Sequence, residues 1–211
     1  MMDTAKLVAS LLLEIKAIKL SPTEPFTWAS GWKSPIYCDN RKSLSYPAVR
    51  KVIRDEFVLR IKALYPDVEL IAGVATGAIA HGVLVAEAMN LPFIYVRSQA
   101  KSHGLGNVIE GAYTPGQKTV IIEDLVSTGG SSLSAFQALK EAGLNVLGML
   151  AIFTYEFSLA TENFKSANCQ LDTLSNYSSL LELALQTGNI TREQLEILSR
   201  WRENPGGNWL L

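Results

Sequence analysis

Glu123 and Asp124 stand side by side at the end of the apolar run Val120-Ile121-Ile122, followed by Leu125-Val126-Ser127-Thr128-Gly129-Gly130-Ser131-Ser132. Two carboxylates are hydrogen-bond acceptors of the kind a sugar diol needs. The small, hydroxyl-bearing turn leads into an amphipathic stretch with Leu133, Phe136 and Leu139, so its backbone N–H groups gather at a helix N-terminus, where an anion is favoured. Gly129 and Gly130 let the backbone come close to a phosphate, and Ser127, Thr128 and Ser131 add hydroxyl donors. An acid pair beside such a turn repels a bare anion. A ligand that brings hydroxyls or a metal ion between them meets both demands, and a ribose 5-phosphate with a divalent ion is such a ligand.

A second turn, Gly73-Val74-Ala75-Thr76-Gly77-Ala78, also joins an apolar run to a helical one and is suited to a pyrophosphate, with Thr76 and Gly77 at its centre. The third element is the stretch 97–111, which has no apolar periodicity and carries Arg97, Lys101 and His103 among the glycines 104, 106 and 111. A segment of that kind inside a compact α/β domain is a loop with a function or a solvated one. Its position, after a strand end on the rim that carries both turns, favours a cationic lid that neutralises a leaving pyrophosphate and excludes water. Other phosphate signatures fail. No G-x-x-x-x-G-K-[ST] run occurs, and after Gly104 and Gly106 the third glycine of a dinucleotide fingerprint is replaced by Ile109.

The elements that must hold these groups follow from periodicity. Leu7, Leu11, Ile15 and Ile18 predict a first helix ending before Ser21-Pro22, and 22–47 is too irregular for one element. A second helix is expected over 50–64, with Val49, Ile53, Phe57 and Ile61 on one face. Strands are expected at 70–74, 93–96, 119–122 and 146–155, and helices at 78–89 and 131–142. Unbroken apolar strands alternating with helices indicate a mostly parallel sheet covered on both faces. The tail offers two helices with capping-box signals, Ser179 with Glu182 and Thr191 with Gln194. The expected organisation is one α/β domain over 1–211: an N-terminal helix and hood (1–47), a core (48–165) and a helical C-terminal extension (166–211).

Composition narrows the classes. A chain of 211 residues with 48% hydrophobic and 18% charged residues buries a proper core. A net charge of −1 argues against a general nucleic-acid binder. Cys38 and Cys169 fit neither a disulfide framework nor a metal site. The apolar stretch 144–153 is too short to span a bilayer, and the N-terminal pattern is broken by Asp3, Lys6, Glu14 and Lys16, unlike a signal peptide. The expectation is a cytoplasmic protein with no nucleic-acid or membrane partner. His81 and the tail tryptophans, Trp201 and Trp209, read as packing residues; for the tail an oligomer contact is the other reading.

The two turns and the cationic loop together resemble the type I phosphoribosyltransferases, whose signature is a strand, Glu-Asp, and a Thr-Gly-Gly-Ser-type turn. Arg97, Lys101, His103 and Gly104 resemble the catalytic loop of the orotate phosphoribosyltransferases, and the stretch Phe26-Thr27-Trp28-Ala29-Ser30-Gly31-Trp32-Lys33-Ser34-Pro35-Ile36-Tyr37 resembles that family's orotate-binding segment, with its Ser-Gly-x-Lys-Ser-Pro core. The resemblance runs to about residue 164. It implies the reaction of orotate with 5-phosphoribosyl diphosphate, giving orotidine 5′-phosphate and pyrophosphate, with Mg²⁺ carried by the phosphoribosyl diphosphate and held by no direct protein ligand. Under it Glu123 and Asp124 hold the ribose hydroxyls and residues 127–131 the 5-phosphate; Thr76, Gly77 and Arg97 belong to the same substrate. Lys101 and His103 reach the pyrophosphate of the neighbouring subunit's site, which implies a homodimer. Arg97, Lys101, His103 and Asp124 are the implied catalytic set. For the flat, anionic base, Lys33 and Arg41 are available cations, Ile36 and Tyr37 available cover, and Ser127 a donor; Phe26, Trp28 and Trp32 read as ordinary packing.

Three positions depart from the family pattern. Ser98 stands where better-known members have a second loop lysine, and Gly77 where some have a lysine. After the last central strand some members have an arginine that contacts orotate, and here the run is Phe153-Thr154-Tyr155-Glu156-Phe157. Arg41 is then the expected partner of the orotate carboxylate. Two other readings compete: an enzyme of the same fold for another base, which should lack the Ser-Gly-x-Lys-Ser-Pro run, and a phosphoribosyl-diphosphate-sensing regulator, which should add a basic nucleic-acid-binding patch.

Overall fold

The computed structural model describes residues 3–28, 31–97, 108–207 and 209. Among them the main sheet has the order β10-β9-β8-β5-β6-β7. Its strands are β5 (Leu70–Val74), β6 (Phe93–Val96), β7 (Ile109–Glu110), β8 (Lys118–Val126), β9 (Asn145–Thr154) and β10 (Leu171–Asn176). All neighbouring pairs are parallel except β6 with β7. Successive residues of the central strands enter two different cores. Ile71, Val120, Ile122, Leu150 and Ile152 pack on one face, with Ile53, Phe57 and Ile61 from α2 (Pro47–Leu64) and Val85 from α3 (Ile79–Met89). Leu70, Ala72, Ile121, Met149 and Ala151 pack on the other, under Phe136 and Leu139 of α4 (Gly130–Glu141) and Phe164 of α5 (Ser158–Ser166). A strand buried on both faces has no polar side to show, which is why these runs are continuously apolar. Truncating one of them, for example Ile122→Ala, removes about 2–5 kcal/mol.

The structure corrects the expectation at several elements. The first helix, α1, covers Thr4–Glu14 and stops there: Lys16 takes φ 55, and Ile18, expected to extend the helix, begins β1 (Ile18–Leu20). The irregular N-terminal stretch contains β2 (Phe26–Thr27), β3 (Lys33–Ser34), β4 (Ile36–Cys38) and a 3-10 helix over Asn40–Ser45; β1 pairs with β4 and β2 with β3. The strand expected at 119–122 runs on to Val126, so Glu123 and Asp124 lie within it. Residues 171–176, placed by the sequence in a helical extension, are a sheet strand parallel to β9, fastened to α1 by Ser175 Oγ donating to the Ala5 carbonyl at 2.8 Å. Helix α6 (Tyr177–Gln186) is capped by the Asn176 side chain, which accepts from the Ser179 N–H, so Ser179 is not its cap. Helix α7 (Arg192–Glu203) has the expected capping box of Thr191 and Gln194. Asn90 ends α3 in the left-handed conformation asparagine tolerates, just before Pro92.

Candidate active site

The acid pair lies at the carboxyl end of β8, where ligands of open α/β sheets collect. Glu123 is only 3% exposed. One of its oxygens accepts from Ser132 Oγ of α4 at 2.8 Å and the other from the Asp124 N–H at 2.8 Å. Burial, and then the Asp124 charge, push its carboxyl up to about 8. Burial also raises Asp124, opposed by its hydrogen bond with Glu123 and by the charge of Arg41. A buried acid pair of this kind favours sharing a proton until hydroxyls or a cation arrive between the two groups. Asp124 is the more open of the two.

The turn after β8 enters α4 through Gly129 at φ 85, where a Cβ would also stand 2.7 Å from the ring of Phe164. Asn163 of α5 steadies the turn by donating to the Thr128 carbonyl at 3.0 Å. Space is open beside Gly130. The second turn, between β5 and α3, contains a cis Ala75–Thr76 peptide, and the Ala75 N–H donates to the Val96 carbonyl at 2.8 Å. A Cβ on Gly77 would collide with the Asp124 carboxylate. The second turn is thus packed directly on the acid pair, and the Asp124 carboxylate touches both the turn and its own strand end. Ser131 of the first turn, Ala75 of the second and Arg97 line one cavity of 240 Å³.

Arg97 lies at the end of β6; its N–H donates to the Val108 carbonyl at 2.8 Å and its guanidinium is 3.4 Å from Glu110 of β7. Lys101, His103 and Ser98 lie outside the described residues.

A second cavity, of 330 Å³, opens between the N-terminal hood and the ends of β8 and β9. Thr27, Trp28, Tyr37 and Cys38 come from the hood, and Leu125, Ser127 and Tyr155 from the sheet. Ser127 therefore belongs both to the anion turn and to this aromatic cavity. Lys33 sits at the rim, donating to Thr27 Oγ1 at 2.7 Å. The structure does not bring every expected residue here. The Ile36 side chain is fully buried in the main core. The Arg41 guanidinium pairs with Asp39 at 2.7 Å, its side chain 61% exposed, and its charge acts on Asp124. Trp32 is 37% exposed, and Phe26 packs on Tyr37 with ring centroids 5.8 Å apart.

Sequence reasoning placed Thr27 within the resembling segment 26–37 without giving it a role, missed Cys38, Leu125 and Tyr155, and took Trp28 for packing. Tyr155 was findable: it follows β9 as Ser127 follows β8, and the same strand-end rule applies to both. Asn40 was missed as well. It is buried, donates to the Asp124 carbonyl at 2.5 Å and accepts from Cys38 Sγ at 3.4 Å, fastening the hood to the acid strand. His81 is buried beneath it beside Ser43 Oγ, at 3.4 Å, and burial lowers its imidazole to about 4.

Comparison with known proteins agrees with this geometry. Residues 48–175 match the phosphoribosyl transferase domain. The orotate phosphoribosyltransferase of Porphyromonas gingivalis is 55% identical over 205 residues, 97% of this chain and 98% of that protein. That of Streptococcus gordonii is 55% identical over 210 residues, 100% of both chains. Among solved structures, Leishmania donovani UMP synthase superposes with a TM-score of 0.77 at 27% identity, over 93% of this chain and 42% of that one. The orotate phosphoribosyltransferase of Aeropyrum pernix has the same fold, with a TM-score of 0.75 at 24% identity over 87% of this chain and 99% of that one. With a domain match across the whole central sheet and relatives more than half identical from end to end, the chain belongs to the orotate phosphoribosyltransferases.

Proposed function

We propose that this enzyme transfers the 5-phosphoribosyl group from 5-phosphoribosyl diphosphate to orotate, giving orotidine 5′-phosphate and pyrophosphate, a step of pyrimidine biosynthesis. The observation that carries the reading is the place of Asp124: its carboxylate packs against the second anion turn, one strand end from the first, and the first turn shares Ser127 with an aromatic cavity. A ligand with phosphate at one end, pyrophosphate at the other and a diol between them matches that order of groups. The aromatic cavity then takes a flat base.

In this reading α4's N-terminus and Ser127, Thr128 and Ser131 hold the 5-phosphate, and Glu123 and Asp124 the ribose hydroxyls. Thr76 and Gly77 face the pyrophosphate. The C1′–oxygen bond to pyrophosphate breaks as the bond to the base nitrogen forms, and positive charge develops on the ribose ring. In this reading Asp124 stabilises that charge, and Lys101 and His103, as the family resemblance implies, neutralise the leaving group. Lys33 at the rim is the better-placed cation for the orotate carboxylate, since Arg41 is turned toward Asp39.

Among the described residues no cluster of three or more His, Cys, Asp and Glu side chains is gathered for a metal. The hard carboxylate oxygens of the acid pair fit Mg²⁺ carried mainly by the substrate's own oxygens. Carried by the substrate beside the acid pair, Mg²⁺ would supply charge neutralisation of the diphosphate. The reading also has the enzyme act as a cytoplasmic homodimer with Lys101 and His103 serving the neighbouring site. Among the described residues no helix is long and apolar enough to cross a membrane.

The test is kinetic. Lys101→Ala should lower kcat by roughly a hundred-fold or more, the scale of losing one preorganised charge-stabilising group, with an unchanged melting temperature. Mixing inactive Lys101→Ala and Asp124→Ala chains should restore activity through dimers with one intact site. Wild-type turnover in Lys101→Ala, or no recovery in proven mixed dimers, contradicts the assignment of the loop.

A further inference from the structure

Two rings in contact with each other line the base cavity, Trp28 from the hood and Tyr155 from the end of β9, with centroids 5.3 Å apart. The Trp28 indole N–H donates to the Ile36 carbonyl and the Tyr155 backbone N–H to the Val126 carbonyl, each at 3.2 Å. Trp201 of α7, fully buried, stands edge-on to both, at 5.7 Å and 88° from Trp28 and 5.7 Å and 89° from Tyr155. Its other ring neighbours are Phe157 at 5.2 Å and Tyr177 at 5.4 Å.

The next residue of α7 adds a polar clamp. Arg202 Nη1 donates to Ser178 Oγ at 2.7 Å and lies 3.4 Å from Glu156 Oε2. The same carboxylate oxygen accepts from the Ser178 N–H at 2.8 Å and from Ser178 Oγ at 2.6 Å. Glu156 directly follows Tyr155 and takes φ 56, a left-handed conformation that costs a non-glycine residue about 1–2 kcal/mol. The clamp therefore fixes the backbone at the point where Tyr155 leaves the sheet. Beyond α7 the chain returns to the hood: Gly206 lies against the Trp32 indole, so that a Cβ there would stand 3.1 Å from it.

We propose that Trp201 and Arg202 are positioning residues for the base site, and that the C-terminal helix sets the placement of the aromatic wall against which a flat heteroaromatic carboxylate lies. The inference rests on reading the 330 Å³ cavity as the base site. It predicts an effect confined to one of two substrates, which support of the fold in general does not produce.

The experiment compares KM for orotate and KM for phosphoribosyl diphosphate in Arg202→Gln, Arg202→Lys, Trp201→Leu, Trp201→Phe and Trp28→Leu, each checked for its melting temperature. Trp201→Leu removes both edge-on contacts to the slot and should raise the orotate KM about ten-fold. Arg202→Gln, on a half-exposed residue whose loss leaves the core intact, should raise it severalfold. In both, KM for phosphoribosyl diphosphate stays at the wild-type value, and Trp201→Phe and Arg202→Lys recover most of the loss. A folded Arg202→Gln with both KM values unchanged overturns the proposal, as does a parallel rise in both. Trp28→Leu separates the two levels: an unchanged orotate KM there removes the cavity as the base site, whereas a raised one beside a silent Arg202→Gln removes the brace alone.

Discussion

At the scale of single residues, the site is governed by what burial does to Glu123 and Asp124. The folded state holds a proton on Glu123 that the unfolded chain releases above its ordinary value of 4.5. The stability this proton contributes is complete below pH 4.5 and is lost as pH rises to about 8. The melting temperature of the free enzyme should fall across that window, and Glu123→Gln, which keeps an acceptor for Ser132, should flatten the fall. A slope that survives Glu123→Gln means another group carries it. His81 acts on the acid side: buried as the neutral imidazole, it contributes stability that is full above pH 6.5 and lost as pH drops to about 4. Gly77 is a residue-scale constraint of another kind. Any side chain there must displace the Asp124 carboxylate, so Gly77→Ala should lower kcat/KM by roughly a hundred-fold, the scale of a small misplacement of a reacting group. Near-normal kcat/KM in Gly77→Ala would show that the acid pair tolerates such a shift.

At the scale of elements, what was legible depended on how local the signal was. The strands 70–74 and 93–96 were read to the residue because both are short runs of mostly apolar residues bounded sharply by turn residues, the first buried on both faces and the second on one. Strand β8 was read short, since two carboxylates end an apolar run while the backbone ladder to β9 continues through Glu123 to Val126. Strand β10, with Asp172, Thr173 and Ser175, carries too few apolar residues to be seen as a strand and is defined by its pairing with β9. The cap of α6 was misread for a related reason: Ser179 and Glu182 fit the box pattern, but the extended backbone at Asn176 puts the cap three residues earlier. Asn176→Ala should therefore cost about 1 kcal/mol in chemical denaturation, and Ser179→Ala clearly less. The opposite order would restore the sequence reading. For the site, both turns and the acid pair were legible as contiguous motifs, whereas Thr27, Cys38 and Tyr155 meet only through the fold.

At the scale of the whole molecule, three parts of the chain meet around the carboxyl ends of β8 and β9. The sheet supplies the acid pair and both anion turns, the hood supplies Thr27, Trp28, Tyr37 and Cys38, and the C-terminal helix braces the hood against the sheet through Trp201. A net charge of −1 leaves the attraction for a highly charged substrate to local donors. The central claim is the pairing of a phosphoribosyl site with an aromatic slot that takes orotate. Its most direct test is base consumption followed in the ultraviolet with phosphoribosyl diphosphate and Mg²⁺, offering orotate, adenine, hypoxanthine and uracil in turn. The account predicts turnover with orotate and none with the other three. Turnover with another base would keep the phosphoribosyl site and contradict the slot, and silence with all four would contradict the enzyme.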